Sequence, residues 1–552
     1  MAKAVVRLLG GLFVLAVAGS AWGAGADERD TPEKSVDLDL EYRFQMMYIN
    51  PLELNGLVAR EVGYAQHRLR LEPAFRPVVG VSLFAQVDVL DGVLAGDNGE
   101  YGGDPSAGSG LALTSRWPNN AGFKVGLLEG RDPLDPDSYG LTLTEVDPVK
   151  INRVWGEVML PVGLLRIGRQ PAASGPGIGL HDGSRTNRWG VSRYSATADR
   201  ILFATKVSEV YRMIRDGAAY ETDRAMDDGV FLVGAEDLAV EDDPSYGGDD
   251  LKQGVGMLQV RVKEPRLFGM DWHPFLFQVA VGGRFGEQFK TSVYSIPVSL
   301  EFGLGPLRFQ GELVAIYGQT QEISQGMAAL READEAKRVI RDQTIQGMGA
   351  RAILDVEMGP VTGTLEFDYA QGDSDPRDET PLTSFSFARD ANVGLLLFEH
   401  VLAFETARSA AVGIQNLQHM GVSSFPLTEI ASDGRVQNAI VFFPQLLVKP
   451  VSSLGIRGGV MFAWADAPVT DPIMTLLNED GEQIADDAVN WHGGKPAKYY
   501  GTEFDLQVEW TFREHFIWTV EGAALLPGAA LQDESGDAVP SFLLESRFTF
   551  LF

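Results

Sequence analysis

Thirteen residues near the start of the chain restrict the fold more than any other stretch. In Val36-Asp-Leu-Asp-Leu-Glu-Tyr-Arg-Phe-Gln-Met-Met-Tyr48, Val36, Leu38, Leu40, Tyr42, Phe44, Met46 and Tyr48 alternate with Asp37, Asp39, Glu41, Arg43 and Gln45. Seven apolar positions at a period of two predict a long β-strand with one apolar and one charged face. At helical spacing the same charges would encircle the axis.

The pattern returns as hairpins. Tyr294, Ile296, Val298, Leu300 and Phe302 run into Gly303-Leu-Gly-Pro306, and Leu307, Phe309, Leu313, Ala315 and Tyr317 follow it. Ala350, Leu354 and Val356 run into Met358-Gly-Pro360, and Val361, Leu365, Phe367 and Tyr369 follow. Further short turns are expected at Pro161-Val-Gly163, Lys449-Pro-Val-Ser452 and Arg513-Glu-His515, where Gly and Pro supply turn geometry.

Long polar segments separate these hairpins, at about 92–149, 171–198, 241–254, 319–345, 372–393 and 466–498. Short turns alternating with long loops predict a transmembrane, antiparallel, up-and-down β-barrel, with short turns toward the periplasm and long loops outside. The alternation gives about 18 strands with both ends periplasmic. Residues 199–210, 227–240 and 274–290 carry the weakest patterns, and weak segments between 205 and 250 and between 391 and 430 can be split or merged. Tyr48, Tyr317, Tyr369, Trp464, Trp510 and Trp518 sit near strand ends, as interfacial aromatic girdles do. A soluble all-β sandwich or propeller is the competing fold. Gln325–Ile340 is rich in helix formers and predicts a short helix in an outside loop.

Lys3 and Arg7, the apolar run Leu8–Val17 and the small residues through Ala26 form a secretory signal peptide over 1–26, leaving 27–552 as one barrel domain. Its removal leaves 44 basic against 76 acidic residues. Such a chain does not bind nucleic acid or anionic surfaces by bulk attraction. It has no cysteine, which excludes cystine staples and thiolate metal sites. The expected location is the outer membrane of a Gram-negative bacterium.

Tyr500-Gly-Thr-Glu-Phe-Asp-Leu506, Leu525-Leu-Pro-Gly528 and Leu165-Arg-Ile-Gly-Arg-Gln170 resemble motifs of the alginate-export family of outer-membrane barrels. Phe385-Ser-Phe-Ala-Arg-Asp-Ala-Asn-Val-Gly-Leu-Leu-Leu-Phe398 and Asp199-Arg-Ile-Leu-Phe-Ala-Thr205 resemble stretches of related uncharacterised barrels. The resemblance implies a monomeric 18-stranded barrel whose arginine-lined lumen passes a polyanionic polysaccharide.

The polar face of each strand predicts the lumen lining. The inward bases are Arg43, Arg68, Arg70, Arg153, Arg166, Arg261, Lys263, Arg284, Arg308, Arg351, Arg457 and Arg547. The inward acids are Asp37, Asp39, Glu41, Glu72, Asp88 and Glu157, then Glu301, Glu312, Asp355, Glu357, Glu366, Asp368, Glu503, Asp505, Glu509, Glu521 and Glu545. Strand order is order around the wall, so one wall is near neutral or basic and the other acidic. This predicts either a transverse field favouring small dipolar or cationic solutes, or charges that pair across neighbouring strands.

These features point to a porin-like channel for passive or export passage of hydrophilic solutes. The alternatives are a polysaccharide exporter, a structural barrel sheathing or anchoring a partner, and an outer-membrane hydrolase. His181-Asp-Gly-Ser184 holds triad residue types, but a triad is defined by geometry and no enzyme is expected. Asp373, Asp375 and Asp378 offer oxygen ligands for a loop Ca²⁺, as do Asp242, Asp243, Asp249 and Asp250, without full EF-hand spacing. No other cofactor is implied. The ending Phe548-Thr-Phe-Leu-Phe552 resembles the signal read by barrel-assembly machinery, with Phe548, Phe550 and Phe552 as its aromatic positions.

Overall fold

A computed structural model of the protein describes residues 35–54, 61–97, 124–126, 142–144, 149–183, 187–192, 196–221, 228–239, 251–265, 274–322, 324–325, 328, 334–374, 380–406, 432, 434–471 and 488–552. The expected signal peptide lies outside the described residues.

Eighteen strands form the main sheet. They are β1 (Ser35–Asn50), β2 (Val62–Val78), β3 (Val81–Asp97), β4 (Val149–Leu160), β5 (Gly163–Pro171), β6 (Thr197–Lys206), β7 (Gly229–Ala239), β8 (Leu251–Val262) and β9 (Phe275–Phe285). The second half is β10 (Ser292–Leu304), β11 (Leu307–Thr320), β12 (Gln343–Met358), β13 (Val361–Ala370), β14 (Ala439–Val451), β15 (Leu454–Trp464), β16 (Tyr499–Phe512), β17 (Phe516–Pro527) and β18 (Ser541–Leu551). Each pairs antiparallel with its chain neighbours, and β18 returns to β1 in register from Glu41–Leu551 to Asn50–Phe542. The sheet is therefore a closed barrel with no free edge, the arrangement that satisfies every strand's backbone. A separate two-stranded ladder, Lys124–Gly126 with Thr142–Thr144, belongs to the connection after β3.

The two ends differ as the turn pattern requires. Residues 79–80, 161–162, 305–306, 359–360, 452–453 and 513–515 make tight turns at one end. Gly305 and Gly359 take positive φ there, which explains the Gly in those two turns. The first and last strands also begin and finish at this end. The connection after β6 departs from the pattern, because it opens with helix α1 (Val207–Asp216), in a region read from sequence only as weak strand. Of the expected helix over 325–340, residues 326–327 and 329–333 lie outside the described residues; Gln325 and Ala328 are helical, and Glu335–Lys337 form a 3-10 turn.

Alternation divides the wall into two surfaces. On β18, Phe542 and Leu544 point outward and are more than half exposed, while Glu545 and Arg547 point inward and are buried. Outward aromatic side chains gather at both ends of the wall. Tyr48, Tyr317 and Trp464 lie toward the long-loop end, and Trp510 and Trp518 toward the short-turn end. The lower belt crosses the closing seam: Trp518 stacks on Phe548 at 6.0 Å, Phe516 meets Phe550 at 5.0 Å, and Phe44 stacks on Phe548 at 6.4 Å.

The inward surface is polar through its short-turn part and stays polar toward the long-loop end at Arg200, Asp237 and Arg284, but on β1, β14, β15, β17 and β18 it changes. Toward the long-loop mouth, inward positions become apolar: Met47, Ile49, Val441, Phe443, Met461, Ala463, Leu525 and Leu543. They pack with Ile178 and Trp189 from the connection after β5, and with Phe385, Phe387 and Leu395–Phe398 from the connection after β13. Ile178, Trp189, Phe385 and Phe387, which fall in segments expected as outside loops, thus belong to an apolar core within the barrel, as do Leu395–Phe398 from the weakly patterned 391–430.

Candidate pore lining and the segments folded into it

The charged positions read as lumen-facing lie on the polar phase of their strands, except Lys263, which follows the end of β8, but their surroundings differ sharply. On the β1–β5 wall, charges pair across adjacent strands. Arg68 and Arg43 each lie 2.8 Å from Glu41, Arg70 clamps Asp88 through two hydrogen bonds of 2.7 and 2.8 Å, and Arg166 lies 2.8 Å from Glu157. Pairs of this kind each contribute about 0.2–1 kcal/mol. Their larger effect is to leave a polar surface bearing both signs. Arg284 donates to Gln253 at 2.6 Å, and Arg308 lies 3.5 Å from Glu357. Arg261 and Glu509 are exposed toward the short-turn end.

The acidic wall does something that alternation alone did not reveal. Glu312 accepts backbone N–H groups from Gly177, Ile178 and Gly179 at 2.8, 3.0 and 3.3 Å, and the Ser174 hydroxyl at 2.7 Å. Glu503 accepts those of Leu395, Leu396 and Leu397 at 2.8, 2.8 and 2.7 Å. Glu521 accepts the N–H of Gly190 at 3.0 Å. Chain crossing a barrel interior must satisfy its own backbone groups, and carboxylates are strong acceptors for that purpose. Glu312, Glu503 and Glu521 thus hold protein amides, so these three of the acids after residue 290 are not part of an open charged surface.

Arginines perform the reciprocal task. Arg351 donates to the carbonyls of Ala391 and Asn392 at 3.3 Å while lying 2.6 Å from Asp368 and 3.7 Å from Glu366. Arg153 donates to the Asp182 carbonyl and Arg43 to the Ser192 carbonyl. From the loop side, Arg188 reaches out and clamps Asp355 through two 2.8 Å hydrogen bonds. Arg547 bridges Glu545 and Glu521 at 2.5 and 2.9 Å beside the seam. Arg457 lies over the Trp189 ring, 5.9 Å from its centroid.

Glycine permits the close approach. Gly177 and Gly394 have φ values of 98° and 68°, and a Cβ on Gly394 would lie 2.8 Å from Glu503 Oε1. Trp189 fixes the first segment, stacked 5.8 Å from Phe443 with its indole N–H donated to Gln445 at 3.1 Å. The two segments also meet, since Ala388 donates its N–H to the Ile178 carbonyl at 2.7 Å.

Asp505 stands apart. It is buried, no N–H donor among the described residues reaches either carboxylate oxygen, and Gly459 and Ala523 are its cross-strand neighbours. The charges acting on it are those of Glu503 and Glu521.

The remaining candidates are placed as follows. Asp373 accepts the Thr383 N–H at 3.0 Å, whereas Asp375, Asp378, Asp242, Asp243, Asp249 and Asp250 lie outside the described residues. No metal-binding group of three or more ligands occurs among the described residues. His181 is buried and accepts the Gly183 N–H at 3.1 Å; Ser184 lies outside the described residues. Phe548 and Phe550 point outward, and Phe552 is 69% exposed while its backbone pairs twice with Leu40.

No protein-family model matches the chain, and no curated protein matches it. Among solved structures, it is similar to the outer membrane protein opdK of Pseudomonas aeruginosa, with 10% identity, 94% of this chain and 98% of that chain covered, and a TM-score of 0.42. It is also similar to Pseudomonas aeruginosa OccK2 (OpdF), at 8% identity, 94% and 98% coverage and a TM-score of 0.43. Acinetobacter baumannii OccAB4 gives 8% identity, 94% and 99% coverage and a TM-score of 0.45.

Proposed function

We propose that the chain is an outer-membrane channel of a Gram-negative bacterium, exported with loss of residues 1–26, that passes small hydrophilic solutes. One observation carries this reading: a closed 18-stranded wall turns Phe, Leu, Val and Trp outward and paired charges inward. A water-soluble barrel buries its apolar face, whereas a membrane barrel presents that face to lipid.

The solute class follows from the lumen. Segments 172–183, 187–192 and 380–406 fold into the mouth and are seated by Glu312, Glu503 and Glu521, which supports selection of small solutes. The wider arginine-lined path implied by the alginate-export resemblance finds less support, because inward arginines are paired with acids or committed to loop carbonyls. We extend the proposal to assembly as a monomer, with Phe548, Phe550 and Phe552 recognised by the barrel-assembly machinery.

Reconstitution in planar bilayers tests the function. Stepwise conductance and uptake of small sugars or amino acids in liposome swelling are expected, with exclusion of long polyuronates. Absence of conductance from inserted protein would overturn it.

A further inference from the structure

Helix α1 is amphipathic in the reverse sense from a helix that packs on its own protein. Val207, Tyr211 and Ile214 recur at i, i+4 and i+7 on one face, and all three are exposed, Ile214 by 74%. Met213 beside them is also exposed. The polar face is the one turned to the barrel. Glu209 is buried and accepts the Tyr220 hydroxyl at 3.0 Å; Arg212 lies 2.9 Å from Glu209. Tyr220 also lies 2.7 Å from the Pro161 carbonyl, and Thr205 donates to the neighbouring Val162 carbonyl at 2.5 Å. These bonds tie the helix to the tight turn between β4 and β5, at the short-turn rim.

Its apolar stripe continues the outward surface of the wall. On β6, Ile201 and Phe203 occupy the outward phase, opposite inward Arg200, which is bound to Asp237. Lys206 is still extended, so Val207 leaves the strand on the outward side. On the next strand Val230 and Leu232 face outward and are exposed. The stripe and the wall therefore form one apolar surface, bent through the rim. Arg215 lies over the Tyr211 ring, 5.9 Å from its centroid, which places a cation and an interfacial aromatic at the margin of that surface.

We infer that α1 is an interfacial helix, lying in the periplasmic leaflet with Val207, Tyr211 and Ile214 among phospholipid acyl chains. A ten-residue helix is about 15 Å long. It thus widens the lipid contact of β5–β7, the part of the wall whose strands are short. Such a helix sits with its apolar face about 5–10 Å below the headgroup boundary. The inference rests on the membrane-barrel reading, and its test separates the two.

The full chain lacks cysteine, so Ile214→Cys, Phe504→Cys and Ser535→Cys each give a unique labelling site. Each variant, carrying a small fluorophore, is placed in vesicles of phosphatidylethanolamine and phosphatidylglycerol. It is then quenched by aqueous iodide or by doxyl-labelled lipid. Phe504 lies on the outward wall and reports lipid; Ser535 lies in the connection after β17 and reports water. The label at Ile214 is expected to follow Phe504, lost to doxyl lipid and shielded from iodide, and to be quenched more by shallow than by deep doxyl groups. If it follows Ser535 while Phe504 reports lipid, the helix inference fails and the barrel stands. If Phe504 also reports water, the membrane reading itself fails. Shielding at Ile214 that requires added periplasmic extract would assign the stripe to a protein partner and overturn the lipid assignment.

Discussion

Glu503 Oε1 lies 2.8 Å from the backbone nitrogen of Leu396, and the same carboxylate also takes the N–H groups of Leu395 and Leu397. One side chain on β16 thereby seats the entry to the helical turn Leu397–Leu402, whose residues are largely buried in the barrel mouth. A long connection is held inside the wall by an acceptor that the wall supplies.

Removing that acceptor strands three buried donors. Glu503→Ala is expected to lower stability by about 3 kcal/mol and Glu503→Gln by less, because leaving buried donors unmet costs about 1–3 kcal/mol each before relaxation. In bilayers the alanine variant should give larger and noisier openings. Urea unfolding and single-channel recording check the two outcomes, and an unchanged conductance would remove Glu503 from control of the mouth.

Two residues further along β16, the sign reverses. Asp505→Asn replaces a buried carboxylate that lacks a donor with an amide able to donate toward Glu503. Stability should rise by about 1–3 kcal/mol, the scale of an uncompensated buried polar group. Equilibrium unfolding in urea provides the measurement, and destabilisation would contradict the assigned environment.

Glu312 and Glu503 hold different segments, yet those segments meet at Ala388 and Ile178. A double-mutant cycle of Glu312→Ala and Glu503→Ala should therefore give a coupling of about 0.5–2 kcal/mol instead of simple additivity. Strict additivity would mean that the two segments leave the mouth independently.

Ion preference is expected to follow the β1–β5 wall. Arg166→Glu turns the Arg166–Glu157 pair into two acids on a partly open surface. Reversal potentials in graded potassium chloride should move toward cation preference. The stability change should stay within about 1 kcal/mol, as for a solvent-accessible pair.

The C-terminal signal needs a substitution that spares the ladder. Phe552→Ala keeps both backbone bonds to Leu40, whereas deletion of Phe552 loses them. Phe552→Ala should slow insertion by purified assembly machinery while leaving conductance unchanged in molecules that do insert. Equal insertion rates would dismiss the aromatic side chain as a signal.

The wall was legible because each strand repeats a period of two against a single outside environment. Phe542 through Phe550 on β18 and Val36 through Tyr48 on β1 state both faces without ambiguity. The mouth was harder to read because its inner positions, Ile49, Val441, Phe443 and Leu543, are as apolar as the outer ones. The in-folded segment gave a signal of another kind. Val393-Gly-Leu-Leu-Leu-Phe398 is apolar without alternation, as suits chain buried on all sides, yet it falls at the start of 391–430, whose weak pattern could be split or merged into strands. Glu312 and Glu503 were placed on the correct face by phase alone. Their acceptor role depends on chain distant in sequence, which periodicity does not encode. Helix α1 was missed because ten residues next to a weak strand do not establish a period of 3.6.

The seam between β1 and β18 sets a constraint on time as well as on shape. β1 is the first strand of the barrel to be synthesised and the last to gain its second partner, since Glu41 pairs with Leu551 and Asn50 with Phe542. Until β18 arrives, the growing sheet presents an unpaired edge whose N–H and C=O groups would template pairing with other chains. Closure of such distant partners is also the slowest step in ordering a sheet of this topology. The edge of β1 therefore stays open for as long as the two ends of the barrel remain apart.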